Sequence, residues 1–341
     1  MKYGSGLPGA RRLGFKVTAG VLAATIVGVP QMAQAEPSSP GTAAGAKATA
    51  FQAMRVMPLG DSITLGTGTP TRSSYRMELA HRLQMGGMQI NYVGSQSNGT
   101  GTDVQHEGHG GYNIDELSAE LDDWLAQARP DIVLLHAGTN SIKEGVGAQA
   151  SAVKLSALID QIRAARPQAY IFVAQIINSR VPMERDDDRA YNRLIPKVVA
   201  DKDDPLITVV DQSSIGGIDL HDLRHPNDFG YSKMAYNWYT AMAKVFQLSG
   251  YTGPNPNRAT SARRCLAVKV VVNGQPRHKT DCRTWQLRSV TVTTDGVRRQ
   301  VRVWQTLHTK KQTYRVRVHG KMQTRTRLVK KWIGPGDLLD I

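Results

Sequence analysis

Residues 55–66 read RVMPLGDSITLG, and the fold turns on how that stretch is interpreted. Val56, Met57 and Leu59 form a short apolar run that stops at Gly60-Asp61-Ser62, with Gly66 and Gly68 close behind. An apolar run ended by glycine is the pattern of a buried strand entering a tight turn. Ligands of open α/β sheets bind beyond the carboxyl ends of the strands, which is where Ser62 would stand. Gly-Asp-Ser alone is also an ordinary turn, so the rest of the chain must decide.

Working outward, strand-like and helix-like segments alternate from residue 51 to 251. Tyr75, Leu79 and Leu83 have helical spacing within 73–85, and INYV (90–93) is a short strand closed by Gly94. Asn113 and Glu116 are the residues of a capping box. Leu117, Leu121, Trp124 and Leu125 then line one helical face, which Pro130 ends. DIVLLH (131–136) is a buried strand running into Gly138-Thr139-Asn140. Residues 150–165 form an amphipathic helix and 170–177 another apolar run. A helix over 186–200 opens on three aspartates that suit its dipole and is bent by Pro196. Residues 206–210 are the fifth strand and 228–248 the closing helix. Continuous apolar strands alternating with helices predict a parallel sheet covered on both faces. The expected domain, over 51–252, is α/β: a flavodoxin-like three-layer α/β/α unit with a five-stranded parallel sheet.

GPNPN (253–257) breaks the pattern and predicts a linker over 253–260. The period then changes to two. Strands are expected at 268–272, 287–293, 301–304 and 314–318, with hairpin turns at Asn273-Gly274 and Asp295-Gly296. Residues 261–341 therefore read as a small all-β module. It holds the charge: 20 Lys+Arg against 4 Asp+Glu from 255 to 341, while the remaining residues hold 23 against 24. Alternation such as Arg315-Val316-Arg317-Val318 predicts one apolar and one cationic face.

At the other end, Lys2, Arg11, Arg12 and Lys16 precede a mostly apolar run, 17–29, and Ala33-Gln34-Ala35 fits small-x-small cleavage. The expectation is an export signal over 1–35 cut after Ala35, then a small, polar flexible linker over 36–50. In an exported chain the lone pair Cys265 and Cys282 reads as a disulfide, with two buried thiols as the alternative.

Four chemical stations fall at strand ends or just after them: Ser62; Gly108-His109-Gly110-Gly111-Tyr112; Gly138-Thr139-Asn140; and Asp222-Leu223-Arg224-His225-Pro226. Together they meet the needs of acyl transfer. A serine hydroxyl needs a base, which His225 can be. The base needs an orienting carboxylate, which Asp222 can be. The oxyanion needs fixed donors, available from the Ser62 N–H, a glycine N–H and the Asn140 amide.

These residues resemble the SGNH (GDSL-type) hydrolases over about 55–248, with all four stations in family order. MPLGDSIT, NYVGSQSNG, HEGHGGYNIDEL and HPNDFGYSKMA are most similar to the acetylxylan-esterase-like carbohydrate esterases of family 3. The resemblance implies strand order 2-1-3-4-5, Ser62 as nucleophile, His225 as base, Asp222 as its orienter, and Gly111 and Asn140 as oxyanion donors, with Gly108 the alternative to Gly111. It implies an esterase acting on acetylated polysaccharide; with the export signal the expectation is a secreted enzyme, extracellular or periplasmic, monomeric and without a cofactor. Hydrolysis of other small acyl esters or thioesters, and a non-catalytic wall-binding role, are the rival readings. One departure is Ser141, where the family often has Asp.

Other clusters carry weaker signals. His221 and His225 are spaced as zinc ligands on a helix, but Pro226 disfavours a helix there. His106, Glu107 and His109 read as a loop or substrate wall. Asp186-Asp187-Asp188 reads as a helix start or a calcium site. For the basic module the expected partners are acidic polysaccharides or cell-wall polyanions rather than nucleic acid. A chain ending near Tyr251 would then keep its activity on small esters.

Overall fold

The structure is a computed structural model of the 341-residue chain and describes residues 53–249, 251, 253–294 and 297–335. The expected export signal and the 36–50 linker lie outside the described residues. In chain order come β1 (Met54–Gly60), a single-turn α1 (Ser62–Leu65), α2 (Arg76–Met85), β2 (Ile90–Tyr92), β3 (Gln96–Ser97), β4 (Gln105–Gly108) and α3 (Ile114–Ala128). Then follow β5 (Ile132–His136), α4 (Thr139–Lys143), α5 (Ala148–Ala165), β6 (Tyr170–Gln175), α6 (Pro182–Ala200), β7 (Ile207–Asp211) and α7 (Asp228–Val245).

β1 is central. Residues 56–60 pair in parallel with β5, which continues to β6 and β7. On its other edge β1 pairs first with β2, through Met54–Val56, and then with β4, through Leu59 and Gly60. The second strand position is thus divided. The expected five strands become seven, because β2 and β4 share one edge and β3 adds an antiparallel pair to β4. The polar stretch SQSNGTGTDV (95–104) explains the division: it cannot stay in a buried sheet, so the chain loops out and re-enters at Gln105. Counting β2 and β4 as one position gives the order 2-1-3-4-5.

Alternation sorts the strands into two cores. Met57, Leu59, Val133 and Leu135 face Leu117, Leu121, Leu155, Ile159 and Tyr191. Val56, Ile132, Leu134 and Phe172 face Leu79, Leu83, Met234 and Trp238. The expected layers α/β/α follow.

Helix α6 starts at Pro182, not at residue 186. Proline at the first helical position has no N–H to waste, and Glu184, not the aspartates, occupies the first turn. Pro196 inside the helix cannot donate to the Asn192 carbonyl, and Gln175 Nε2 donates to it instead at 2.7 Å.

The C-terminal module is a four-stranded antiparallel meander: β8 (Ser261–Val272), β9 (Gln275–Thr294), β10 (Val297–Val318) and β11 (Lys321–Ile333). Its strands are far longer than expected, and 301–304 and 314–318 belong to one strand. A turn at His319-Gly320, both at positive φ like Asn273-Gly274, joins β10 to β11. The register is staggered. β9 pairs with β8 up to residue 286 and with β10 from residue 285; β10 pairs with β9 up to 306 and with β11 from 306. Three two-stranded arms therefore leave one junction at buried Trp285, Thr306 and Ile333.

This geometry overturns the expected split between faces. Residues directly opposite share a face. In the third arm one face holds Lys310, Arg325 and Arg327, and the other holds Lys311, Arg315 and Arg317. With no third layer over the arm, neither face has to be apolar, and cations occupy both.

The module is tied to the α/β body at its root. Ile218 packs with Leu266, Val268 and Trp285. The Ala267 N–H donates to the His221 carbonyl at 2.6 Å. Arg264, one of the module's basic residues, is fully buried, pairs with Asp219 at 3.1 Å and lies 4.4 Å from the Phe229 ring and 4.0 Å from the Trp304 ring. Lys233 takes the other Asp219 oxygen at 2.6 Å. Residues 253–260 also touch the body: Arg82 Nη2 donates to the Pro254 carbonyl, and Asn257 to Asn237 Oδ1.

Removing one member of a buried ion pair leaves the other charge uncompensated. Asp219→Ala should therefore lower unfolding free energy by about 3 kcal/mol, read as a shift of the urea midpoint at unchanged slope. A change under about 0.5 kcal/mol would mean that water already compensates Arg264.

Candidate active site

The first station lies where β1 meets α1. Asp61 is the N-cap, its Oδ1 accepting the Ile63 N–H at 2.8 Å, and Ser62 is the first helical residue. Gly60 is required by close approach: a Cβ there would stand 2.2 Å from the His136 carbonyl oxygen on β5. The turn carries the Ser62 hydroxyl to the carboxyl edge of the sheet, 2.9 Å from His225 Nε2. His225 Nδ1 meets Asp222 Oδ2 at 2.8 Å. The structure thus brings Ser62, His225 and Asp222 into one chain of hydrogen bonds.

Asp222 is held ionised. Burial acts to raise its pKa. The hydrogen bond and charge of His225, with the N–H groups of Arg224 and His225 on Oδ1, outweigh burial and hold the carboxyl well below the usual range. An ionised Asp222 fixes the tautomer that leaves Nε2 free to accept the serine proton.

These two residues sit on a loop that is not helical. Leu220 bridges Pro226, and the His221 N–H donates to the His225 carbonyl at 2.7 Å. The two histidines of the zinc-like spacing therefore face different partners: His221 Nδ1 lies 3.3 Å from the Cys265 carbonyl, while His225 faces Ser62. On the α6 side, the Arg180 N–H donates to the Leu223 carbonyl and Arg224 forms a two-pronged pair with Glu184. Gly68 presses from a third side, at φ +102°, where a Cβ would meet the Pro226 carbonyl at 2.3 Å and His225 Cβ at 3.1 Å. Sequence reasoning placed Gly68 only as part of the turn; its contact with His225 is tertiary and leaves no local signal.

The second and third stations flank Ser62 on β4 and β5. The Gly108 N–H is already donated to His106 Nδ1 at 3.0 Å, and a Cβ there would strike Leu65 N at 2.5 Å. Gly111, exposed at φ +91°, has open space around it. Asn140, on α4, gives one amide hydrogen to the Tyr112 carbonyl at 2.9 Å and keeps its second. Ser141, the departure from the family pattern, is buried and accepts the Ile114 N–H at 3.2 Å, tying the third station to the start of α3. Glu107 is buried and accepts from Ser95 and from His109 Nε2, and the His109 ring stacks 4.3 Å from Trp124. Burial, with Arg76 and His109 nearby, takes His106 down to about 3, so it stays neutral and accepts from Gly108.

Of the aspartate triplet, Asp186 and Asp187 are exposed, while Asp188 points inward and accepts the Ser179 N–H at 2.7 Å. They do not converge. Cys265 and Cys282 are bonded and lie directly opposite each other on β8 and β9.

Comparison with known proteins gives a consistent neighbourhood. A model of the GDSL-like lipase/acylhydrolase family matches residues 59–233. A multidomain esterase from Ruminococcus flavefaciens is 30% identical over 61% of this chain, and the match spans 30% of that relative's length. The structure is similar to a family 3 carbohydrate esterase from Clostridium thermocellum, with 33% identity, TM-score 0.52, and coverage of 58% of this chain and 100% of the other. It is also similar to a family 3 carbohydrate esterase from Talaromyces cellulolyticus, with 25% identity, TM-score 0.51, and coverage of 57% and 100%.

Asp188 generates a pH prediction. Burial, against the Ser179 hydrogen bond, raises its pKa to about 7. An unfolded aspartate titrates near 3.9, so between about 4 and 7 the folded state holds the extra proton. Stability should fall as pH rises through that window, by about 1.4 kcal/mol per unit from this group alone. Asp188→Asn should flatten that slope in denaturant titrations from pH 4 to 8; an identical slope in both proteins would refute the assignment.

Proposed function

This chain belongs to the GDSL-like lipase/acylhydrolase family, and we propose that it is a secreted serine esterase that removes acetyl groups from polysaccharide. The single observation that carries the reading is the hydrogen-bonded series from the Ser62 hydroxyl through His225 to an ionised Asp222. In this reading His225 takes the Ser62 proton as Oγ attacks the acetyl carbonyl. The tetrahedral oxyanion is met by the Ser62 and Gly111 N–H groups and the free Asn140 amide hydrogen. His225 then protonates the departing sugar hydroxyl, and water repeats the cycle on the acetyl-enzyme. Export is supported by the basic and apolar start with its Ala33-Gln34-Ala35 site and by the Cys265–Cys282 bond. The similarity to two family 3 carbohydrate esterases supports an acetylated carbohydrate as substrate.

Acetate release across acetylated xylan, pectin and chitin oligomers tests the reading, together with p-nitrophenyl acetate. Ser62→Ala should fold normally and lose on the order of 10³-fold or more in kcat. Asp222→Asn should lose less than His225→Ala. Gly68→Ala should lower kcat by roughly tenfold or more without touching substrate, because its Cβ displaces the His225 loop. Rates should fall steeply from acetate to octanoate esters; a Ser62→Ala protein within tenfold of the parent would remove Ser62 from the mechanism.

The arms support a second part of the proposal: retention on acidic polysaccharide. Arg298, Arg299, Arg302, Lys310, Lys311, Arg315, Arg317, Arg325 and Arg327 are all exposed. Binding to polygalacturonate should weaken as salt is raised. Combined Arg315→Glu, Arg317→Glu and Arg325→Glu should weaken it at least tenfold while the rate on p-nitrophenyl acetate stays within twofold. Retention indifferent to salt would leave the arms with another role. Point variants are the right tool, since truncation near Tyr251 would strip Arg264 from buried Asp219 and Ala267 from His221.

A further inference from the structure

Beside the triad, and sharing Asp222 with it, opens a cleft of about 440 Å³. Its floor is the loop after α1: Thr67, Gly68, Thr69, Pro70 and Arg72. That loop is tied to the nucleophile, because the Thr67 N–H donates to the Ser62 carbonyl at 3.0 Å. One side is the His225 loop and the start of α7, through His221, Asp222 and Asp228. The opposite wall is the first arm of the C-terminal module: Thr280 and the bonded pair Cys265 and Cys282. The catalytic unit alone would have no such wall.

We infer that this cleft is a carbohydrate subsite, which seats a neutral pyranose ring of the polymer next to the ring being deacetylated. The size falls in the range of small-molecule sites, about 300–1,000 Å³. The lining chemistry is that of sugar recognition. Asp228 and Arg72 present a carboxylate and a guanidinium that have no side-chain hydrogen bond or ion pair among the described residues. Together they offer acceptors and donors suited to vicinal hydroxyls. Thr69 and Thr280 add hydroxyl groups. Pro70, Gly68 and the disulfide provide an apolar surface for the C–H face of a ring. Two carboxylates, Asp222 and Asp228, against the one guanidinium of Arg72 leave the cleft net negative and unfavourable to a uronate, in contrast with the cationic arms. The module therefore has two separable tasks: its distal arms meet acidic polymer, and its first arm completes a neutral subsite.

This inference rests on the esterase reading only for its kinetic arm, so it is tested in two ways. Thr280 is exposed on β9, on the module wall of the cleft, and Thr280→Trp narrows the cleft from that wall. With partially acetylated xylotetraose, the variant should raise KM at least tenfold, and the rate on p-nitrophenyl acetate should stay within twofold. In parallel, calorimetry on the Ser62→Ala protein with unacetylated xylotetraose, cellotetraose and chitotetraose needs no catalysis. At least one should bind, and adding Thr280→Trp or Asp228→Ala should weaken it at least tenfold. Binding by none of the three, or binding and KM unchanged in the variants, overturns the subsite. Equal loss on the small ester and the oligomer also overturns it, since that would mark Thr280→Trp as disturbing the fold. If the parent hydrolyses no ester at all, the esterase reading falls and the calorimetry still decides the subsite.

Discussion

The constraint on which the site depends is the immobilisation of a seven-residue loop, 220–226, that has no helix or strand to stiffen it. It carries both His225 and Asp222, and a shift of about 1 Å there is enough to cost two orders of magnitude in rate. The molecule answers with contacts from three directions. Glu184 and Arg180 hold it from the α6 side. Gly68 fills the space beside His225 so closely that no side chain fits. Strand β8 holds it from the module side, through Ala267 on His221 and Arg264 on Asp219. The contacts from α6 and β8 are polar and partly or fully buried, so they are costly to break and sharply directional, while Gly68 acts by steric fit.

The legible part of the sequence was the part that obeys local rules. Apolar runs located β1, β5 and β6, with glycine following the first two, and with them the edge where Ser62 and Asn140 stand. The Asn113–Glu116 capping box located the start of α3 because both partners lie within four residues. What escaped was set by tertiary contact. The second strand divided because a polar stretch interrupts it, and a three-residue run cannot show how it resumes. Arg264 looked like any other basic residue, and only Asp219, 45 residues earlier, makes it a buried one. The arms were read as short strands because short apolar alternations mark only part of each 12- to 22-residue strand.

The charge distribution also has a structural logic. A mildly acidic body, with 18 Lys+Arg against 23 Asp+Glu over 53–254, surrounds the site, while the surplus of positive charge stands on thin arms open to solvent on both sides. Charges that project into water are screened within about 8–10 Å at ordinary ionic strength. Strong cationic surface can therefore coexist with an ionised Asp222 that orients the His225 ring through Nδ1. In the proposed reading, attraction of an acidic polymer to the arms is kept apart from the chemistry at Ser62.

The stagger of the arms has a consequence for how the molecule assembles. The first and third arms close over two-residue turns, so their partners meet after a short chain search, whereas Ser62 and His225 are 163 residues apart. Local closures of this kind occur in microseconds, while contacts across a whole domain wait on the ordering of everything between them. The loop of Asp222 and His225 also needs the C-terminal module, from residue 261, to dock, because β8 holds it. In the proposed reading, a chain whose β8 has not yet docked would carry Ser62 without a fixed His225.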